Sequence, residues 1–405
     1  MTERPALQAY YPFTRLSRLL EGVAPGSAPS VDGAPILLSV GEPQRAPPAF
    51  VGEEIARHLA DLGRYPLPRG TADYRAAAVD WLIRRYDLPP NSGAPGGMID
   101  PEHTLLPLPG SREGLFFSVL ATVGRGAGQV PPVVLMPNPF YHVYAGAALA
   151  AGAEPVFVAA TKENGFVPDF AALAPDVLER AAYCFLCTPS NPQGAVASLA
   201  QLSELILLAR RFDFVLAFDE CYTELYNGEP PPGALQAAAS LGGSLDHLLI
   251  FHSLSKRSSA PGLRCGFVVG DPDLITLVDE SLRVGGAGVP GPVLAAGARL
   301  WRDQAHVAEA RGFYRRNFAI AERVLGNRFN FRTPEAGFFL WLEVGDGEAA
   351  ALELWRACGI KTLPGAYMCA DDGDGGNPGR DFLRIALVYD EAVTDAALTS
   401  LAETL

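Results

Sequence analysis

Between residues 104 and 275 the chain repeats one unit, a short apolar run of strand length followed by a longer stretch with helical periodicity. The runs are LLPLP, PVVLMP, EPVFVAA, AYCFLC, FVLAF, LLIFHS and GFVVG. Runs that are apolar throughout, without alternation, suit strands buried on both faces, and strands separated by helices pair in parallel. The repeat therefore predicts an α/β sheet covered by helices on both sides. Pro- and Gly-rich segments such as NSGAPGGMIDP and NGEPPPGAL interrupt it as surface loops. From about residue 291 a long helical pattern gives way to FNFRTP, GFFLWLEV, a helix near Ala349 to Cys358, and FLRIALV, which reads as a smaller α+β domain. The expected division is residues 1–45 as an N-terminal arm and part of the small domain, 46–290 as the large domain, and 291–405 as the small one.

In a sheet of this kind, ligands bind outside the carboxyl ends of the strands. The segment FHSLSKRSSAPGLRCGF, Phe251 to Phe267, follows one such end. Cationic positions are filled almost entirely by arginine, and the lysines are Lys162, Lys256 and Lys361 alone. A lysine kept where arginine would serve for charge points to a need for an amine, because an ammonium can lose its proton and condense with an aldehyde while a guanidinium stays protonated. Ser253 and Ser255 add hydroxyl donors, and Arg264 adds a planar fork suited to phosphate, so the neighbourhood fits a phosphorylated aldehyde cofactor. The alternative is a surface lysine in a polar loop.

Three further motifs bear on that choice. In VLAFDECY an apolar run ends at Asp219, placed to keep the ring nitrogen of such a cofactor protonated, or else to bond the backbone of the next turn. Tyr222, three residues on, could reach a phenolic oxygen of the ring. CTPSNPQG puts Asn191 and Gly194 in a Pro-rich turn after a strand. LLPLPGSREGLFFSVLATV is a strand, a Gly turn and a helix whose first N–H groups, at Ser111 and Arg112, could hold a phosphate; Ser111 as an ordinary helix cap is the alternative.

The order GSRE, NPFY, NPQG, DECY, SLSK and the trailing Arg264 resembles that of fold-type I pyridoxal-phosphate aminotransferases of class I/II, over essentially the whole chain from SVGEP to RIALV. Within that class the chain is most similar to bacterial N-succinyl-diaminopimelate aminotransferases, through YYPFTRL, LLSVGEP, NPFYHVYAGAALAAGAEP, DECYTELY, SLSKRSSAPGLRCGF, LWRDQAHV and NPGRDFLRIALV. The resemblance implies a large domain with a mostly parallel seven-stranded sheet, pyridoxal 5′-phosphate as cofactor, and amino transfer between N-succinyl-LL-2,6-diaminopimelate and 2-oxoglutarate. It assigns the cofactor aldehyde and the proton transfer to Lys256, the ring nitrogen to Asp219, and the phenolic oxygen to Asn191 and Tyr222. It stacks Tyr141 on the ring and puts Ser111, Arg112, Ser253 and Arg264 on the phosphate. Tyr65 matches a tyrosine that reaches the phosphate of the neighbouring subunit, which implies a homodimer with shared sites. Gly41, Asn191 and Arg384 match positions that meet the substrate carboxylate.

Arg384 can also be argued alone, since FLRIALV sets a guanidinium in an apolar strand where an unpaired charge costs several kcal/mol, roughly. It needs an anion, either an internal carboxylate or the substrate's. Two departures stand out. RVGGAGVPGPV, with Gly285, Gly286 and Gly288, is richer in glycine than the family position and is expected to widen the pocket or loosen the loop. Tyr74 replaces a usual leucine and reads as packing.

A formal net charge of −13 argues against nucleic acid and anionic membrane as partners. No apolar stretch is long enough to span a bilayer and the opening MTERPALQAYYP lacks a signal pattern, so cytoplasm is the expected location. The six cysteines, Cys184, Cys187, Cys221, Cys265, Cys358 and Cys369, are expected as free thiols. Cys184 and Cys187 would point to opposite faces of a strand, and no histidine spacing suits a metal, so none is assigned. Two other classes remain at this level: a lyase using the same cofactor chemistry, and a cofactor-binding regulator, which would need a DNA-binding domain for which too few residues precede SVGEP.

Overall fold

The structure is a computed structural model describing residues 10–29, 34–124, 130–373 and 375–405. Its strands, in chain order, are β1 (Ile36–Leu37), β2 (Leu105–Leu108), β3 (Val133–Asn138), β4 (Glu154–Ala159), β5 (Ala181–Cys187), β6 (Val215–Asp219), β7 (Leu248–Ser253), β8 (Gly266–Gly270), β9 (Phe339–Glu343), β10 (Ile360–Lys361), β11 (Leu363–Pro364) and β12 (Phe382–Ala386). A seven-stranded sheet runs β2-β8-β7-β6-β5-β3-β4. It is parallel except at β8, which is antiparallel to both of its neighbours.

Continuous apolar runs are what this sheet demands, because its two faces enter different cores. Along β5, Cys184 and Leu186 pack in one core while Tyr183 and Phe185 pack in the other. In β6, Leu216 and Phe218 face the first core and Ala217 the second. Each large side chain so buried contributes about 1.5–3 kcal/mol, and none of these positions tolerates a charge without a partner. Connecting helices carry their own start signals: Ser198 and Gln201 form a reciprocal capping box at the start of the helix Leu199–Phe212. The result is that Asn138, Cys187, Asp219 and Ser253 all end their strands at one edge of the sheet.

A smaller antiparallel sheet, β11-β12-β9, faces that edge and places Arg384 opposite Trp341. Its core is shared with the helices Ala305–Leu325, Gly347–Cys358 and Glu391–Thr404. The opening segment joins it, since β1 pairs in parallel with β10. One helix departs from the expected division: Gly291–Arg302 packs in the large core through Leu294, Ala298, Leu300 and Trp301. By packing, this helix goes with the large core.

The glycine-rich segment packs closely. A Cβ on Gly285 would come 2.7 Å from the Phe117 ring, and one on Gly288 would come 2.8 Å from the Leu67 carbonyl. Gly285 thus permits close packing on Phe117 and Gly288 on Pro66 and Leu67, and neither they nor Gly286 line the cavity described below. Tyr74 does more than fill space. Its hydroxyl donates to the Gly266 carbonyl (2.8 Å) and accepts from Trp301 Nε1 (3.0 Å) and from the Cys265 thiol (3.4 Å), pinning the start of β8 just after Arg264. All six cysteines are free. Among the described residues no helix is long and apolar enough to cross a membrane.

Candidate active site

The strand ends and the small sheet enclose a cavity of about 360 Å³. Lys256, Asp219, Asn191, Tyr222, Tyr141, Ser111, Arg112, Ser253, Arg264, Gly41 and Arg384 all line it. Tyr65 does not; its side chain is 97% exposed on the surface.

Lys256 lies in the short helix Leu254–Arg257 that β7 feeds directly. Its ammonium donates to the Gly41 carbonyl and sits 5.5 Å over the Phe338 ring. Burial lowers its pKa to about 8, with Arg384 and Arg112 pushing the same way. The amine is thus poised to shed a proton near neutral pH, as a nucleophile requires. The next residue serves the packing instead. The Arg257 guanidinium is buried, donates to the Leu300 carbonyl (2.7 Å) and lies 4.9 Å over the Trp301 ring.

Asp219 ends β6 inside the protein. Tyr144 donates to its Oδ2 at 2.7 Å, and the Cys221 N–H reaches Oδ1 at 3.4 Å. Burial nevertheless raises its pKa, since two neutral donors do not replace water around an anion. No cation hydrogen-bonds to it among the described residues. Sequence reasoning misses Tyr144, although it lies three residues beyond Tyr141 and so nearly shares its helix face.

The phosphate-sized end is a glycine cradle. Gly110 precedes the helix Ser111–Thr122 with φ +95°, no side chain caps that helix, and its first two residues, Ser111 and Arg112, line the cavity. A Cβ on Gly110 would lie 2.2 Å from Arg264 Nη2, so only glycine allows the fork this close to the helix start. Arg264 also donates to Glu113 Oε2 at 2.7 Å, a partner that fixes its direction. Ser111 accepts from the Cys221 thiol (3.1 Å), so it is not acting as a helix cap, and the Ser253 hydroxyl donates to Ser255 Oγ (2.9 Å). Arg112 donates from Nε to the Tyr141 hydroxyl at 2.8 Å.

Arg384 reaches the cavity from β12. It donates to Asn191 Oδ1 (3.1 Å) and to the Ser39 carbonyl (2.6 Å), with its guanidinium 4.5 Å over the Phe339 ring. Asn191 in turn donates to the Tyr222 hydroxyl at 3.5 Å. Arg384 is buried, its Nε has no acceptor, and no carboxylate pairs with it among the described residues. Desolvation pulls its pKa down to about 10. Of the two anions considered for it, the internal carboxylate is absent among the described residues.

A nucleophilic amine, a buried carboxylate awaiting a cation, an anion cradle and an unpaired arginine share one cavity. The sequence pattern of the class I and II aminotransferases matches residues 34–401. This chain belongs to that family. The LL-diaminopimelate aminotransferase of Nitratidesulfovibrio vulgaris is 31% identical over 377 residues, 91% of each protein. The crystal structure of an aminotransferase from Neisseria meningitidis superposes with a TM-score of 0.89 at 35% identity, covering 98% of this chain and 99% of that one. A probable N-succinyldiaminopimelate aminotransferase from Thermus thermophilus gives 0.80 at 25% identity, covering 97% and 100%. The aminotransferase uses pyridoxal 5′-phosphate, and its residues fit that group. No cation among the described residues hydrogen-bonds Asp219, a place that a protonated ring nitrogen would fill, and the Gly110 cradle offers a helix start without a side-chain cap for a phosphate.

Proposed function

We propose that this aminotransferase exchanges the amino group of N-succinyl-LL-2,6-diaminopimelate with 2-oxoglutarate, on the route to diaminopimelate and lysine. The observation that carries the transamination reading is Arg384, a buried guanidinium in the cavity with no carboxylate of its own among the described residues. Both half-reactions present an α-carboxylate, and one bidentate fork serves both. The succinylated donor is supported by the sequence likeness at YYPFTRL and NPFYHVY and by an outer cavity wall of Tyr10, Phe13, Phe166, Val167, Pro168 and Tyr367, against which the methylene groups of a long extension can pack.

The cofactor, when bound, supplies an aldehyde and an electron sink conjugated to the substrate α-carbon. In this reading Lys256 holds the aldehyde and then moves the proton between the substrate α-carbon and the cofactor C4′ carbon. Asp219 keeps the ring nitrogen protonated, Asn191 and Tyr222 hold the phenolic oxygen, and Tyr141 covers the ring face. Ser111, Arg112, Ser253 and Arg264 bind the phosphate, while Gly41 and Asn191 assist Arg384 at the carboxylate. At Gly41 a side chain would overlap the Phe339 ring, with Cβ only 2.4 Å from Cζ, so the backbone can approach the substrate there.

One observation favours a second substrate. Glu42 lines the cavity and its carboxylate has no ion-pair partner among the described residues. A free distal ammonium, as in LL-diaminopimelate, would satisfy it. Initial rates with the succinylated and free diamino acids, each against 2-oxoglutarate, decide between them: the proposal expects the succinylated donor to have the higher kcat/KM, and the reverse order overturns it. Keto-acid release without 2-oxoglutarate would instead mark a lyase.

The working unit in this reading is a cytoplasmic homodimer in which Tyr65 of the partner subunit completes the phosphate site. Its support is a set of exposed large apolar side chains, Leu62 and Leu67 flanking Tyr65 in the chain at 61% each and Val284 at 92%. Mixing Lys256→Ala and Tyr65→Phe proteins should restore activity above either alone. A fully active monomer by sedimentation contradicts it.

A further inference from the structure

The roles above leave one polar side chain in the cavity unused. His142 opens the helix His142–Ala151 directly after Tyr141. Its ring stands edge-on against Tyr11 of the N-terminal arm, centroids 5.1 Å apart at 89°, and against Tyr141, 4.7 Å apart at 68°. Those ring contacts fix its orientation, yet neither nitrogen has a hydrogen-bond partner among the described residues. Burial, with Arg112 and Arg384 nearby, lowers its pKa to about 4, so the imidazole is neutral at physiological pH. A neutral imidazole offers one donor and one acceptor.

The charge inventory of the cavity narrows what this pair can meet. Its cations are Lys256, Arg112, Arg264 and Arg384, all engaged with the cofactor or the α-carboxylate in the reading above, and its carboxylates are Asp219, assigned to the ring, and Glu42. His142 itself stands against Tyr11 and Tyr141, with Arg112 and Arg384 near enough to act on its charge. The two ring nitrogens point apart, so a single amide meets one of them, its N–H giving to the acceptor or its C=O taking from the donor, and neither pairing needs a counter-charge. A site that hydrogen-bonds a polar group also rejects analogues lacking it, because its own polar atoms are then left unpaired.

We propose that His142 is a specificity-determining residue that recognises an uncharged amide on the side chain of the amino donor. The inference deepens the aminotransferase reading, and with the succinylated donor the group met is the succinyl amide.

His142→Phe keeps a ring between Tyr11 and Tyr141 and removes both nitrogens; His142→Gln restores a donor and an acceptor. Each half-reaction is followed through the cofactor's absorbance in a single turnover, with N-succinyl-LL-diaminopimelate, glutamate, and the near-isosteric pair glutamine and methionine. The expected result for His142→Phe is a roughly tenfold lower kcat/KM with the succinylated donor, mostly through KM, with glutamate unchanged within about twofold. His142→Gln should recover most of the loss. The wild-type cofactor spectrum should persist in both variants, since a displaced Tyr141 would shift it. Equal losses with glutamate, or no loss with any donor, overturn the proposal. Should the wild type reject the succinylated donor, that substrate falls while His142 is still judged by the glutamine-to-methionine ratio. His142→Phe is expected to lower that ratio about tenfold, and an unchanged ratio overturns the proposal.

Discussion

Asp219 and Lys256 stand at the ends of central, fully packed strands, whereas Tyr10, Phe13, Phe166 and Tyr367 reach the same cavity from an arm, a loop and the smaller unit. The inner wall is held by hydrogen bonds of known direction, such as Tyr144 to Asp219 at 2.7 Å. The outer wall is held by ring contacts, Tyr10 against Phe140 at 5.4 Å and Arg15 4.2 Å over Tyr367. In the proposed reading the two walls divide the labour. Bond-breaking chemistry tolerates little displacement and so sits on rigid elements, while choice of substrate can rest on peripheral segments that vary without disturbing the sheet.

Substitutions on the inner wall should accordingly lower kcat for every substrate, and those on the outer wall should raise KM for one. Lys256→Ala should cut turnover by more than about 10⁴-fold with the fold intact, because both the amine and the proton carrier are gone. Residual activity within about a hundredfold of wild type would erase the contrast between the walls. Asp219→Ala should lower kcat by about 10²–10³-fold while cofactor affinity, followed by fluorescence titration, changes much less. A loss below tenfold, about 1.4 kcal/mol, would reduce Asp219 to a turn residue.

Arg384 lies between the walls and locates their boundary. Arg384→Lys keeps the charge and loses the paired geometry, so KM for both the amino donor and 2-oxoglutarate should rise about 10- to 100-fold. The cofactor spectrum should not move. A rise for one substrate alone would assign Arg384 to the outer wall. Tyr144→Phe removes one neutral hydrogen bond from Asp219 and should cost at most about tenfold in kcat with all donors. If it alters donor preference instead, the inner wall also selects.

How much of this is legible in the sequence follows the same division. Strands β2 to β8 announce themselves, because a strand between two cores must be apolar throughout, and the carboxyl ends of such strands are where Asp219 and Asn191 stand out as polar interruptions. Lys256 stands out through the rarity of lysine. Contacts between distant segments leave no such mark. The Ser39 carbonyl on Arg384 is a backbone atom and has no sequence signature, and the Glu113 partner of Arg264 looks like an ordinary acidic residue of a first helical turn. Tyr144 has the helical spacing but also the look of a core aromatic, which it is as well, stacked 4.2 Å from Phe185. Chain order assigns the helix Gly291–Arg302 to the small domain, whereas tertiary packing through Trp301 decides where it belongs.

For the inner wall the decisive measurement is chemical. Borohydride reduction of the holoenzyme, followed by peptide mapping, asks which amine holds the cofactor, and the chain allows only three lysine answers: Lys162, Lys256 and Lys361. Lys162 is ion-paired with Glu343, and Lys361 lies in β10, away from the cavity lining. The account predicts the label on Lys256 alone, lost in Lys256→Ala. A label on Lys162 or Lys361 in the wild type would contradict it.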